Sequence, residues 1–141
     1  MNYLLDTNVL SEWTRPRPDA AVLRFLAETD EDALHLSVIS IAEIRRGIER
    51  LPPGKRRRDL DVWLANGLLS RFEGRILGIG PRVADCWGRM MANAERGGRT
   101  PSVQDTWIAA IAAVHEMTVV TRNVADFALL DVGIVNPWTG E

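Results

Sequence analysis

Cysteine, histidine and lysine are scarce in this 141-residue chain, and each shortage closes off a class of chemistry. Cys86 is the only cysteine, which excludes an internal disulfide and any structural zinc site built on several thiolates. Its neighbours Val83, Ala84 and Trp87 suggest a buried helix face. His35 falls in a strand-like segment and His115 at a helix end, where it suits the dipole, so a Ser/His/Asp triad has no local support. Lys55 is the only lysine, and the other basic residues are all Arg. Arginine is the better bidentate phosphate partner, although a GC-rich genome produces the same bias. No apolar run approaches the ~20 residues of a membrane span. The N-terminus also lacks a basic segment followed by a long apolar one, so a cytoplasmic protein without a signal peptide is expected. The net charge of -2 gives no basic field over the whole molecule, and any nucleic-acid contact must come from a local patch.

What is present is ordinary for a globular chain: 46% hydrophobic and 26% charged residues, in a length that suits one domain around one substantial core. Tyr3 to Leu5 reads as a buried strand, followed by a short helix from Val9 to Trp13 that Pro16 and Pro18 stop. Asp19 caps the next helix. Leu34 to Val38 alternates as a second strand, and Ser40 opens a helix through Ile48. Lys55 begins another helix, carrying Leu60, Trp63, Leu64, Leu68 and Leu69. Ile76 to Ile79 is a short strand, and a long helix runs from about Arg82 to Arg96, ended by Gly97-Gly98. Ser102 opens a helix that is apolar almost all round, which must therefore be covered by protein on several sides. Met117 to Thr121 and Val132 to Val135 are the last strands. Strands alternating with helices predict a three-layer α/β/α sandwich around a mainly parallel, about five-stranded sheet.

Asp6 ends the first strand, where ligand crevices of open α/β sheets lie. The competing reading is a cap for the following helix, and Asp6 or Asn8 serves either. Ser40-Ile-Ala-Glu43, Ser102-Val-Gln-Asp105 and Asn123-Val-Ala-Asp126 each set an acid three residues after a cap-type residue, which is the capping-box pattern or close to it. Their order along the chain favours a shared site. If the strands are parallel neighbours, Glu43, Asp105 and Asp126 collect at one sheet edge beside Asp6. Carboxylates brought that close repel one another unless protonated or given a counter-charge. Hard oxygen ligands suit Mg²⁺ or Mn²⁺, and the implied chemistry is phosphodiester hydrolysis by a metal-activated water. Thr7, Asn8, Thr121 and Asn123 have two readings of equal weight: holding the carboxylates or metal waters, or local capping and turn chemistry.

Leu-Leu-Asp6-Thr-Asn-Val-Leu-Ser-Glu12, Ser40-Ile-Ala-Glu43-Ile, Asp105-Thr-Trp-Ile-Ala-Ala and Val-Val-Thr121-Arg-Asn-Val-Ala-Asp126-Phe together resemble a PIN domain, more closely the VapC and FitB type of toxin ribonuclease. The resemblance runs from residue 2 to about 136. It implies an Mg²⁺- or Mn²⁺-dependent endoribonuclease whose acidic site is Asp6, Glu43, Asp105 and Asp126, with Thr121 supporting the metal cluster. It also implies a homodimer and a small DNA-binding antitoxin that blocks the site. Some relatives carry an acid where this chain has Asn123, so one metal ion or two stays open.

For RNA, the candidate phosphate contacts are Arg45 and Arg46 beside Glu43, the run Lys55 to Arg58, and Arg96 and Arg99 around Gly97-Gly98, with Arg99 favoured among them. The run at 55 to 58 reads rather as a solvated helix start, and Arg45 also suits an i+4 pair with Glu49. Trp63, Trp87 and Trp107 read as core or interface. Trp13 is a candidate contact for antitoxin or base, and the expected partner groove lies between the first helices and the segment from Lys55 to Phe72. Two other readings remain: a catalytically silent binding module whose acids only cap helices, and an aspartyl-phosphate phosphatase with Asp6 as nucleophile. The latter usually has a second Asp where Asn8 stands.

Overall fold

The computed structural model describes residues 1–140. The chain begins with β1 (Tyr3–Leu5) and the short α1 (Thr7–Ser11), continues through a 3₁₀ turn into α2 (Ala20–Glu28), then β2 (Leu34–Ser37) and α3 (Val38–Glu49). After α4 (Lys55–Val62) a π-helical turn over Trp63–Leu68 leads into α5 (Leu69–Arg71) and β3 (Ile76–Leu77). The long α6 (Pro81–Arg96) and α7 (Val103–Val114) precede β4 (Thr118–Val120), α8 (Val124–Ala128) and β5 (Ile134–Val135).

The five strands form one sheet in the order β3-β2-β1-β4-β5, and every neighbouring pair is parallel. From β1 the chain winds outward through β2 and β3; it then crosses back to β4 beside β1 and winds the other way to β5. The direction reverses between β1 and β4, so the loops leaving these two strands part and open a crevice at their carboxyl ends. Asp6 follows β1 and Thr121 follows β4. Helices cover both faces, which gives the three-layer sandwich that the alternation of elements predicts.

The period of two along each central strand divides the core. Leu4 points into one cluster with Val83 of α6, Ile108 and Ile111 of α7 and Phe127 of α8, while Leu5 points into the other with Leu10, Val22, Ile44, Leu64 and Phe72. Val119 and Val120 of β4 split the same way. Each fully buried side chain of this size contributes about 1.5–3 kcal/mol, so the sheet is held from both faces. The helix α7 is buried from Ile108 to Ala112, as its apolar circumference demands. Arg75 fastens the β3 edge: its guanidinium donates to the backbone carbonyls of Glu31, Leu34 and Arg71 and to the Glu31 carboxylate.

Three helix starts differ from the sequence expectation. The first helix begins at Thr7, not at Val9, because Asp6 caps it, and it gives way after Ser11 to the 3₁₀ turn Glu12–Thr14. The third helix begins at Val38, not at Ser40: Ser37, at the end of β2, accepts a hydrogen bond from the Ser40 backbone N–H and is the cap. Glu43 therefore lies well inside the helix and caps nothing. The last helix follows Asn123, but the Asn123 side chain makes no capping bond. Only Ser102 and Asp105 keep the predicted pattern, with the Asp105 N–H donating to Ser102 Oγ at 3.2 Å. Cys86, expected on a buried face, is half-buried.

Candidate active site

Asp6 sits at the floor of the crevice. Its backbone N–H extends the sheet by donating to Val120 O, and its side chain is 4% exposed. Burial of a carboxylate costs hydration, and the surrounding donors offset that cost. Thr121 Oγ1 donates to Asp6 Oδ2 at 2.8 Å, the Thr7 N–H donates to Oδ1 at 2.8 Å, and Asn8 Nδ2 approaches Oδ2 at 3.3 Å. Burial nonetheless holds the Asp6 carboxyl above its ordinary range, against the lowering effect of the Thr121 hydroxyl; the charge of Glu43 adds to the rise. Asp6 also caps α1 through Thr7 N, so both of its sequence readings hold at once.

Glu43 reaches the same crevice from α3. Thr7 Oγ1 lies 2.8 Å from Glu43 Oε1 and 2.9 Å from Ser40 Oγ. A carboxylate only accepts, so Thr7 gives it the proton and the Ser40 hydroxyl donates to Thr7 in turn. Thr7, one residue beyond Asp6, thus joins the ends of β1 and α3. Thr121 is fully buried, and its oxygen accepts the Asn123 N–H at 2.9 Å while its proton goes to Asp6. Asn8 receives the Arg122 N–H on Oδ1. The Asn123 side chain, expected to support the acids, is exposed and contributes only its backbone N–H.

Asp105, in the first turn of α7, and Asp126, in α8, complete the acidic rim. The Asp105 carboxyl is pushed up to about 6, first by burial and then by the charges of Asp6, Asp126 and Glu43. It has no hydrogen-bond partner among the described residues, and no Arg or Lys pairs with any of these acids. Their side chains are spread: among the described residues no three acidic, His or Cys groups stand ready to enclose an ion. The donor set still fits a small hard cation, because Mg²⁺ takes one or two carboxylates and keeps several waters.

The expected phosphate contacts divide. Arg45 is bound to Asp61 and, at 3.5 Å, to Glu49, so neighbouring carboxylates already use its charge. Arg46 has no partner among the described residues and lines a hollow of about 310 Å³ with Glu43, Gln104 and Trp107. Arg99 is exposed beyond the Gly97-Gly98 turn, where Gly98 takes the left-handed φ of 76°. Lys55 pairs with Asp59, in keeping with a solvated helix start. Trp87 stacks on Trp107 at 4.7 Å between α6 and α7. Trp13 packs against the buried Phe72 and under Arg71, and Trp13, Trp63, Gly67, Leu68 and Arg71 line an open groove of about 320 Å³. This groove lies where the partner surface was expected. A larger hollow along α6, of about 500 Å³, holds none of the four acids.

The PIN domain family profile matches residues 3–132. The chain belongs to the PIN domain family. Toxin FitB of Neisseria gonorrhoeae is 38% identical to this PIN domain over 135 residues, covering 96% of this chain and 97% of that protein. VapC ribonuclease Y4jK of Sinorhizobium fredii is 36% identical over 135 residues, covering 96% of each. The crystal structure of FitAcB from Neisseria gonorrhoeae superposes with a TM-score of 0.92 at 38% identity, over 96% of this chain and 98% of that one.

Three residues near the acids escaped the sequence reading. Arg15, Arg122 and Trp138 line a small cavity on the far side of Asn8 from Asp6. Arg122 had one available signal: it directly follows Thr121 at the end of a central strand. Trp138 had none, because only the return of the chain after β5 brings it there.

Proposed function

We propose that this PIN domain is a divalent-metal-dependent endoribonuclease and the toxin half of a type II toxin–antitoxin pair. One observation carries the catalytic reading: the Asp105 carboxylate, half-buried and accepting no hydrogen bond from the described residues, stands in the combined negative field of Asp6, Asp126 and Glu43. A structural carboxylate is paired or hydrogen-bonded, whereas an acidic cluster kept unneutralised suits a cation site. The relatives named as a ribonuclease and a toxin support the substrate and the biological role.

Asp6, Asp105, Asp126 and Glu43 would hold Mg²⁺ or Mn²⁺. The ion supplies positive charge against the phosphate and acidity to the attacking water. The residues supply position. Thr121 and Thr7 fix the Asp6 carboxylate, and Thr7 fixes Glu43, whose exposed second oxygen is free to take the proton of the attacking water. That water would add to phosphorus as the bond to the leaving ribose oxygen breaks, the oxygen taking a proton from solvent while Glu43 keeps the one removed from the attacking water. Arg46 and Arg99 are the proposed contacts to the RNA backbone. The groove of Trp13, Trp63 and Arg71 is the proposed seat of the antitoxin, and a basic antitoxin side chain reaching the acids would replace the charge of the metal.

The test is cleavage of single-stranded RNA by the purified chain with Mg²⁺, with EDTA, and in Asp6→Asn and Asp105→Asn variants. Cleavage confined to the metal-loaded wild type is expected. Equal cleavage in both variants would overturn the assignment, and RNA binding without cleavage would mark a silent binding module. Sedimentation of the purified chain tests the proposed homodimer.

A further inference from the structure

Beside the acids, separated from Asp6 only by Asn8, lies a cavity of about 260 Å³ lined by Asn8, Ser11, Glu12, Arg15, Arg122 and Trp138. Its two cations are held in different ways. Arg15 is tethered: Nη1 donates to Glu12 Oε2 at 3.0 Å, and Glu12, 2% exposed, is fixed in turn by accepting the Asp19 N–H at 2.8 Å. Arg122 lies over the Trp138 ring with its guanidinium carbon 5.3 Å from the ring centre, a cation–π contact. Its backbone N–H donates to Asn8 Oδ1, the same side chain that reaches Asp6. One guanidinium is thus anchored by a buried carboxylate and the other held over an indole, and the cavity they line meets the acidic site through Asn8.

We propose that this cavity is a subsite for one nucleotide of single-stranded RNA beside the scissile phosphate, with Arg15 and Arg122 on its phosphate and the base stacked on the Arg122 plane. The inference rests on the nuclease reading above and extends it by naming how the strand is held. A guanidinium already backed by an aromatic ring presents a flat, sequence-tolerant platform to a base. Phosphate takes the in-plane N–H groups of the same side chain, so one residue serves both parts of the nucleotide. The four acids repel the backbone of a polyanion, and a cationic wall next to them supplies the attraction that brings RNA in before any ion is counted. Glu12 offsets one positive charge, so the wall attracts phosphate chiefly through Arg122. That residue is exposed, whereas removing Arg15 would strip the buried Glu12 of its counter-ion. Arg122 is therefore the residue to change.

Binding is read in the Asp105→Asn chain with EDTA, by fluorescence anisotropy of a fluorescein-labelled single-stranded RNA of mixed sequence. Adding Arg122→Ala should weaken binding about tenfold and flatten the dependence of log K on log salt by about 0.7, the contribution of one phosphate on a single strand. Arg122→Lys should restore the salt slope but not the affinity, because an ammonium has no plane to stack on. In the metal-loaded active chain, Arg122→Ala should raise KM while kcat changes little. Affinity and slope unchanged by Arg122→Ala, or affinity fully restored by Lys, would overturn the proposal. If the parent binds RNA and the Arg122 variants bind it equally well, the nuclease reading stands and the subsite falls. If the parent binds no RNA, the subsite falls; the nuclease reading falls with it only if the metal-loaded wild type also cleaves none. Intact RNA binding with lost antitoxin binding would assign the cavity to the protein partner and also overturn it.

Discussion

Replacing Asp105 by Asn should stabilise the metal-free protein while destroying its activity. The Asp105 carboxyl rises from 3.8 to about 6 because burial and three neighbouring acids penalise its charged form. The rise is about two pH units, and each unit is 1.36 kcal/mol, which sets a ceiling of about 3 kcal/mol. Half-burial lets solvent screen much of this, and loss of the favourable dipole interaction in the first turn of α7 subtracts a little more, leaving about 1 kcal/mol. The sign follows from linkage. A carboxyl whose folded pKa is raised contributes stability below its unfolded value, and that contribution disappears as pH rises through about 6. Wild type and Asp105→Asn should therefore melt together at pH values below 3.8, and above pH 6 in EDTA the variant should melt higher by roughly 4 °C. Millimolar Mg²⁺ or Mn²⁺ should reverse the order, raising the wild type and leaving the variant nearly unmoved. Differential scanning calorimetry across this pH range, with and without metal, makes the check. An Asn variant less stable than wild type at pH 7.5 in EDTA would refute the reasoning, since it would mean that Asp105 has a stabilising partner.

Thr121→Val should cost about 1–3 kcal/mol in thermal or urea denaturation, because it leaves Asp6 and the Asn123 N–H short of a buried partner, and RNA cleavage should drop with it. Ser37→Ala should lower stability by about 1 kcal/mol, measured by urea denaturation, as loss of a true helix cap does. The Glu31 carboxyl is held at about 2, chiefly by hydrogen bonding to Arg71, so its contribution is complete above its ordinary 4.5 and lost as pH falls through about 2. An Arg71→Ala variant should flatten the acid limb of the stability curve in that window, as followed by circular dichroism. Phe72→Ala, emptying a fully buried site under Trp13, should cost about 3–5 kcal/mol by urea denaturation.

The order of elements was legible because the apolar periods change along the chain: short runs at Leu4-Leu5 and Val119-Val120, helical spacing in α2 and α6, and an all-apolar α7. The edges were less so. Ser40 looked like a cap because Glu43 stands three residues on, but the side chain that meets the helix start is Ser37, hidden within the apparent strand. That Ser40 instead faces Thr7, 33 residues earlier, depends on strand pairing that no local pattern encodes. The placement of Asp6, Glu43, Asp105 and Asp126 within one another's fields follows from parallel order and could be anticipated. Arg45 could not: Asp61 claims it across the gap between α3 and α4, and only packing brings the two together. Arg122 and Trp138 meet for the same reason, through the turn after β5.

The claim on which the mechanism depends is that Asp6 after β1, Glu43 within α3, Asp105 in the first turn of α7 and Asp126 within α8 share one cation. Diffraction from crystals grown with Mn²⁺, collected at the manganese edge, tests it directly. The account predicts an anomalous peak within ligand distance of Asp6 and Asp105, absent from Asp105→Asn crystals. Well-ordered crystals at millimolar Mn²⁺ with no peak there, or with the same peak in the variant, would contradict it.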